Sequence, residues 1–131
     1  MLSPGAASCG APYVARWTCL HIRRLTWCFQ EAIERTGFRF IEVIAPCPTL
    51  YSRLNKLGTG LSGMKFYHDN AEIRNGADTR EAAIDYQTKI LCGKFIDEPR
   101  PTFLDLMKAH YSKTLGDKFV PMPPEGGMFH G

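Results

Sequence analysis

The spacing of apolar residues changes period several times along the chain, and each change marks a candidate element. Tyr13-Val14-Ala15-Arg16-Trp17 is a short run of strongly β-forming residues and predicts a strand. Beyond it, Ile22, Leu25, Phe29, Ala32, Ile33 and Thr36 recur at helical spacing, while Arg23, Arg24, Gln30, Glu31, Glu34 and Arg35 take the other face. Thr18 is read as the N-cap of this helix, and Gly37 as its stop. Phe38-Arg39-Phe40-Ile41-Glu42-Val43-Ile44 follows, apolar at nearly every position, which predicts a strand covered on both faces as in a parallel sheet. The strand, helix and strand together make one βαβ crossover.

After Ile44 the periodicity lapses. Pro46, Pro48, Gly58, Gly60 and Gly63 punctuate an irregular stretch to about residue 77, with a short helix predicted near Gly63 to Asn70. Asp78 and Glu81 have capping-box spacing, so a second helix is predicted from there, with Ala82, Ala83, Tyr86 and Ile90 as its buried stripe and Gly93 as its end. Phe95-Ile96 is too short to assign. Pro99 and Pro101 precede a third helix in which Phe103, Met107, His110 and Tyr111 share a face, closed by Gly116. The Pro- and Gly-rich tail reads as a flexible or partner-docking segment over 119–131.

Composition narrows the class. Hydrophobic residues are 44% and charged residues 22% of the 131, so the chain has enough apolar surface to bury a core. The net charge of +3 is too mild to call for a nucleic-acid partner. No apolar run approaches the roughly 20 residues that span a bilayer, and the first eight residues lack a signal-peptide pattern, so a cytoplasmic protein without a membrane partner is expected. Cysteines stand at 9, 19, 28, 47 and 92, an odd count with no C-x-x-C pair. Neither a disulfide framework nor a self-contained metal site fits that spacing.

One cysteine is placed differently from the rest. Strands of open α/β sheets present ligands beyond their carboxyl ends, and the second strand opens onto Ala45-Pro46-Cys47-Pro48-Thr49. Ala45 and Cys47 each precede a proline, which biases both toward extended geometry and stiffens the loop. A stiff loop aims a sulfur, as a metal ligand requires, although a lone cysteine is more often inert. Cys9, Cys19, Cys28 and Cys92 read as packing residues and His21 as a satisfied polar group, while Trp17 and Trp27 read as core or interface aromatics. Arg53, Lys56 and Lys65 read as a solvated basic face that could also attract an acidic partner.

Three passages in this order, Gly10-Ala11-Pro12-Tyr13-Val14-Ala15-Arg16-Trp17-Thr18, Gly37-Phe38-Arg39-Phe40-Ile41-Glu42-Val43-Ile44 and Cys47-Pro48-Thr49-Leu50-Tyr51-Ser52-Arg53, resemble the C-terminal part of the β subunit of 2-oxoacid:ferredoxin oxidoreductases. Asn55-Lys56-Leu57-Gly58 and Asn75-Gly76-Ala77-Asp78-Thr79-Arg80-Glu81 resemble the 2-oxoglutarate branch, and the likeness spans residues 9–118. It implies an α/β fold: part of the parallel-sheet, thiamin diphosphate-binding domain, with a βαβ unit and a helical C-terminal extension. It also implies thiamin-dependent oxidative decarboxylation of a 2-oxo acid to acyl-CoA, with electrons leaving through a [4Fe–4S] cluster to ferredoxin. Cys47 would then be the one cluster ligand in this chain. The family's C-x-x-C pair and its Gly-Asp-Gly…Asn motif for magnesium and thiamin diphosphate are absent. The expectation is therefore a truncated or split subunit, inactive in isolation, whose partners are the remaining part of the β subunit, the α subunit, ferredoxin and coenzyme A. A pyruvate-type member, a non-catalytic interaction module, and an unrelated α/β domain using Cys47 as a reactive thiol are the alternatives.

Overall fold

The computed structural model describes residues 2–84 and 89–121. Its elements in order are α1 (Leu2–Ser8), β1 (Tyr13–Thr18), α2 (Ile22–Glu34), β2 (Arg39–Ile44), α3 (Tyr51–Leu54), α4 (Gly60–Asn70), β3 (Ala71–Ile73), β4 (Ile90–Asp97) and α5 (Phe103–Leu115), with a 3₁₀ turn at Gly116–Lys118. The chain divides into two compact units, Met1–Arg100 and Pro101–Gly131.

The first unit is built on a four-stranded sheet in the order β2-β1-β4-β3. β1 and β2 run parallel, Tyr13 opposite Arg39 and Thr18 opposite Ile44, joined by α2 as the βαβ pattern predicts. β4 lies antiparallel to β1, with a bulge between Val14 and Ala15, and β3 is parallel to β4. The expected parallel sheet is thus mixed, because β4 pairs antiparallel with β1 on the side away from β2.

All six positions of β1 are buried, so its side chains feed two cores with the period of two that a strand imposes. On one face Tyr13, Ala15 and Trp17 pack with Cys28, Ala32, Ile44, Tyr67, Ile90 and Cys92. On the other, Val14 packs with Ala11, Ala77, Ala82, Leu91 and Phe95. Arg16 is on this second face and fully buried, which such a charge tolerates only when paired. Its Nε donates to Glu42 at 2.7 Å, Nη1 to the Ala82 carbonyl at 2.5 Å and Nη2 to Ser3 Oγ at 3.4 Å, while its guanidinium lies 5.8 Å from the Phe95 ring centroid. Ser3 also donates to Glu42 at 2.6 Å, so α1, β1, β2 and the segment at Ala82 share one polar knot.

Three local expectations fail, each for a physical reason. Thr18 is not the N-cap of α2: it is the buried last residue of β1, and its carbonyl accepts the N–H of His21, which occupies the cap position without a side-chain bond. Within α2 the inward stripe is Cys28 and Ala32, with Leu25 packed beside them, whereas Ile22, Phe29 and Ile33 are 69%, 46% and 79% exposed. Thr36 lies past the helix end. The predicted helix from Asp78 does not form. Asp78 accepts instead from the backbone and guanidinium of Arg80, residues up to Ile84 are turns and irregular chain, and Ile90 to Asp97 is β4. Tyr86 lies outside the described residues.

Gly93 belongs to β4 rather than ending a helix. At its φ of +140° an added Cβ would sit 2.8 Å from the Arg74 carbonyl oxygen, so the absence of a side chain lets the chain just after β3 approach. In the second unit, α5 starts at a full capping box, the Thr102 side chain accepting from Asp105 N–H and the Asp105 carboxylate from Thr102 N–H, and it ends at Gly116 as predicted. Among the described residues no helix is long and apolar enough to cross a membrane.

Candidate functional site

β2 delivers the chain to the loop that the sequence singled out. Ile44 is its last, buried residue, Ala45 to Leu50 turn away from the sheet, and α3 follows at once. Cys47 is solvent-exposed, and its carbonyl accepts the Ser52 N–H at 3.0 Å, tying the loop to the first turn of α3. Backbone N–H groups converge on its sulfur. Hydrogen bonding from Tyr51 first, then from Leu50 with a smaller share from Thr49, holds the Cys47 thiol below the ordinary range, and slight desolvation opposes it. The thiolate is the form that binds metal, so the loop favours the ligating state.

α4 supports the loop from behind. Thr59 caps this helix by accepting from Ser62 N–H, and the helix turns its two glycines toward the two prolines. A Cβ on Gly63 would come within 2.9 Å of Pro46 Cβ, and one on Gly60 within 3.6 Å of Pro48 Cβ. The spacing of three residues puts both glycines on one helix face. In the sequence these glycines punctuate an irregular stretch; in the fold they are a packing surface. Cys47, Pro46, Ser52, Gly63, Phe66 and Tyr67 are among the residues that line a cavity of about 170 Å³ here.

The remaining candidates scatter. Cys28 and Cys92 are buried, and burial pushes Cys92 up to about 11 despite the nearby Arg16. Cys28 accepts a 3.1 Å hydrogen bond from the Tyr13 hydroxyl, and Cys19 lies 3.4 Å from the Met64 sulfur, so both serve packing. Cys9 is exposed. His21 Nδ1 sits 2.9 Å from Thr18 Oγ1, and burial with the Arg24 charge lowers its pKa, in keeping with a satisfied polar group. Trp17 is core, and Trp27 is exposed. Arg53, Lys56 and Lys65 are exposed, as a solvated face requires.

Among the described residues no group of three or more His, Cys, Asp or Glu side chains comes together to hold a metal. An iron–sulfur cluster that included Cys47 would need its other donors from outside the described residues.

The comparisons agree with the passages that carry the resemblance. The chain is 35% identical over 104 residues to the 2-oxoglutarate synthase subunit KorB of Methanothermobacter marburgensis, a match covering 79% of this chain and 36% of that protein. With the Methanocaldococcus jannaschii KorB it shares 36% identity over 101 residues, 76% of this chain and 37% of the relative. The fold matches a 2-oxoglutarate:ferredoxin oxidoreductase from Magnetococcus marinus, solved with 2-oxoglutarate, coenzyme A and succinyl-CoA bound, at a TM-score of 0.63 and 21% identity, over 87% of this chain and 38% of that one. No family model matches. The chain spans a little over a third of the length of these relatives. By sequence the chain is a homologue of part of the 2-oxoglutarate synthase subunit KorB, and its fold is that of part of a 2-oxoglutarate:ferredoxin oxidoreductase chain.

Proposed function

We propose that this chain supplies part of the β subunit of a 2-oxoacid:ferredoxin oxidoreductase, 2-oxoglutarate being the favoured substrate, and that Cys47 is the one ligand it contributes to a [4Fe–4S] cluster. The observation that carries the reading is the exposed Cys47 thiol, held at the carboxyl end of β2 with backbone N–H groups directed to it. In such an enzyme thiamin diphosphate supplies the carbon chemistry, coenzyme A takes up the acyl group, and ferredoxin receives the electrons. The task left to this chain's residues is positional. Pro46 and Pro48 fix the loop, Gly60 and Gly63 let α4 seat against it, and the amides before and within α3 favour the thiolate. In this reading the rest of the β subunit, the α subunit and ferredoxin complete the assembly, and the cytoplasm is its proposed location.

Anaerobic co-expression with the remaining part of a KorB-like subunit and its α subunit tests this. The expected product is a brown complex that reduces ferredoxin with 2-oxoglutarate, and Cys47→Ala should lose the cluster signal while keeping its folded circular-dichroism spectrum. An unaltered cluster spectrum in Cys47→Ala refutes the ligand role. Turnover with pyruvate but not 2-oxoglutarate would move the substrate within the family. The chain by itself is expected to be inactive.

A further inference from the structure

α2 carries three side chains of unlike chemistry along one line. Arg24, Trp27 and Glu31 are spaced three and four residues apart, so they share a helix face. With Trp17 of β1, Lys94 of β4 and Asn75 they line a pocket of about 170 Å³. None of these residues lines the cavity beside Cys47.

The charges around this pocket do not cancel. The Glu31 carboxylate accepts from Lys94 Nζ at 3.0 Å and from the Tyr13 hydroxyl at 3.1 Å. Lys94 also pairs with Asp97 at 2.7 Å, and Asp97 with Arg35 at 2.8 Å. Three cations, Arg24, Lys94 and Arg35, thus stand against two carboxylates, Glu31 and Asp97, and the unmatched charge is Arg24. Among the described residues no carboxylate pairs with it, and its guanidinium lies instead 5.8 Å from the Trp17 ring centroid.

The hydrogen-bonding groups are unbalanced in the same sense. Asn75 Oδ1 accepts the Lys94 N–H at 3.0 Å, which leaves the Asn75 Nδ2 amide unspent among the described residues. Trp17 is 5% exposed, and its Nε1–H is buried without an acceptor among the described residues, an uncommon state for a buried donor. Donors are in surplus, so the complementary ligand presents acceptors and negative charge. Trp27 supplies the apolar part, its indole 63% exposed beside these donors. Flat rings stack on indoles and on guanidinium planes. We propose that this pocket is a binding site for a small planar carboxylate, which pairs with Arg24 and the Asn75 amide and lays its ring against Trp27.

The chain has two tryptophans, and both line the pocket, so the two indole N–H resonances in a nitrogen-15 NMR spectrum report on it. Benzoate titrated into the full chain should move both resonances saturably. Benzamide, the uncharged counterpart, should bind about 10-fold more weakly. Cyclohexanecarboxylate, which is not flat, should bind about 3-fold more weakly. Arg23, Arg24 and Trp27 are exposed, so variants there should keep the wild-type denaturation midpoint. Arg24→Gln should weaken benzoate about 10-fold, whereas Arg23→Gln, on the same helix but outside the lining, should not. Trp27→Ala should remove the preference for benzoate over cyclohexanecarboxylate. The proposal is overturned by the absence of a saturable shift, by benzamide binding as tightly as benzoate, or by equal losses in Arg23→Gln and Arg24→Gln. It is overturned equally by a Trp27→Ala variant that keeps the wild-type preference. Cys47→Ala should bind benzoate as the wild type does, so failure here leaves the cluster reading standing, and the reverse holds.

Discussion

Gly63→Ala isolates the packing that holds the Cys47 loop. The new Cβ would stand 2.9 Å from Pro46 Cβ, against a comfortable carbon–carbon separation of roughly 3.5–4.0 Å, so either α4 or the loop must yield by roughly 0.6–1 Å. Inserting a methyl into a packed contact costs about 1–3 kcal/mol. Replacing glycine by alanine inside a helix returns about 1 kcal/mol. The net expectation is a loss of roughly 0–2 kcal/mol. Gly60→Ala is the internal control, because its Cβ would lie 3.6 Å from Pro48 Cβ, an ordinary contact, in the same helix. It should be neutral or stabilising by up to about 1 kcal/mol. Urea denaturation at unchanged m-value reads the difference between the two variants. The pH midpoint of Cys47 alkylation reads the loop itself, and it should move toward the free-thiol range in Gly63→Ala but not in Gly60→Ala, since a displaced loop misaligns the Tyr51 and Leu50 amides. If Gly63→Ala is as stable as Gly60→Ala and alkylates with the wild-type midpoint, the glycine face does not position the sulfur.

Other outcomes follow from the same structure. In the free chain Cys47 should alkylate with a midpoint below that of an unperturbed thiol, whereas Cys92, pushed to about 11 and buried, should stay unmodified until unfolding; mass-mapped labelling against pH checks both. Arg16→Ala leaves Glu42 without its guanidinium and the Ala82 carbonyl without its donor, and should cost about 3–5 kcal/mol in denaturant unfolding. His21 has a lowered folded pKa, so its neutral form supports the fold. Its contribution is complete above the unfolded value near 6.5 and falls away as pH drops through the folded pKa, an acid-side loss of stability that His21→Gln should reduce. Gly93→Ala should destabilise the β3–β4 pairing, seen as faster exchange at Arg74 N–H, which donates to Cys92 O.

Local pattern was enough for β1, α2, β2 and α5, since each carries its period or its stop signal within its own residues. The Cys47 loop was legible too, because a strand end and two flanking prolines are sequence features. The second-helix expectation failed where local chemistry was ambiguous. Asp78-x-x-Glu81 has capping spacing, but Ile90-Leu91-Cys92 are β-forming residues that the buried sheet claims, and Gly93 is kept free of a side chain by the Arg74 carbonyl and not by a helix end. Tertiary contacts outweigh a propensity difference of a few tenths of a kcal/mol per residue.

What the sequence determined by itself is the βαβ core, the proline-flanked setting of Cys47 and the likeness of its passages to the KorB relatives, because spacing and residue type carry all three. What only the tertiary structure decided is which face each element buries. The helical stripe of α2 splits into Cys28 and Ala32 inward and Ile22, Phe29 and Ile33 outward, since apolar spacing marks a surface that avoids water without saying what will cover it. The same holds for β2, whose interior-strand composition ends at an open edge, and for Gly60 and Gly63, whose role depends on two prolines that reach them only once the loop has folded back on α4.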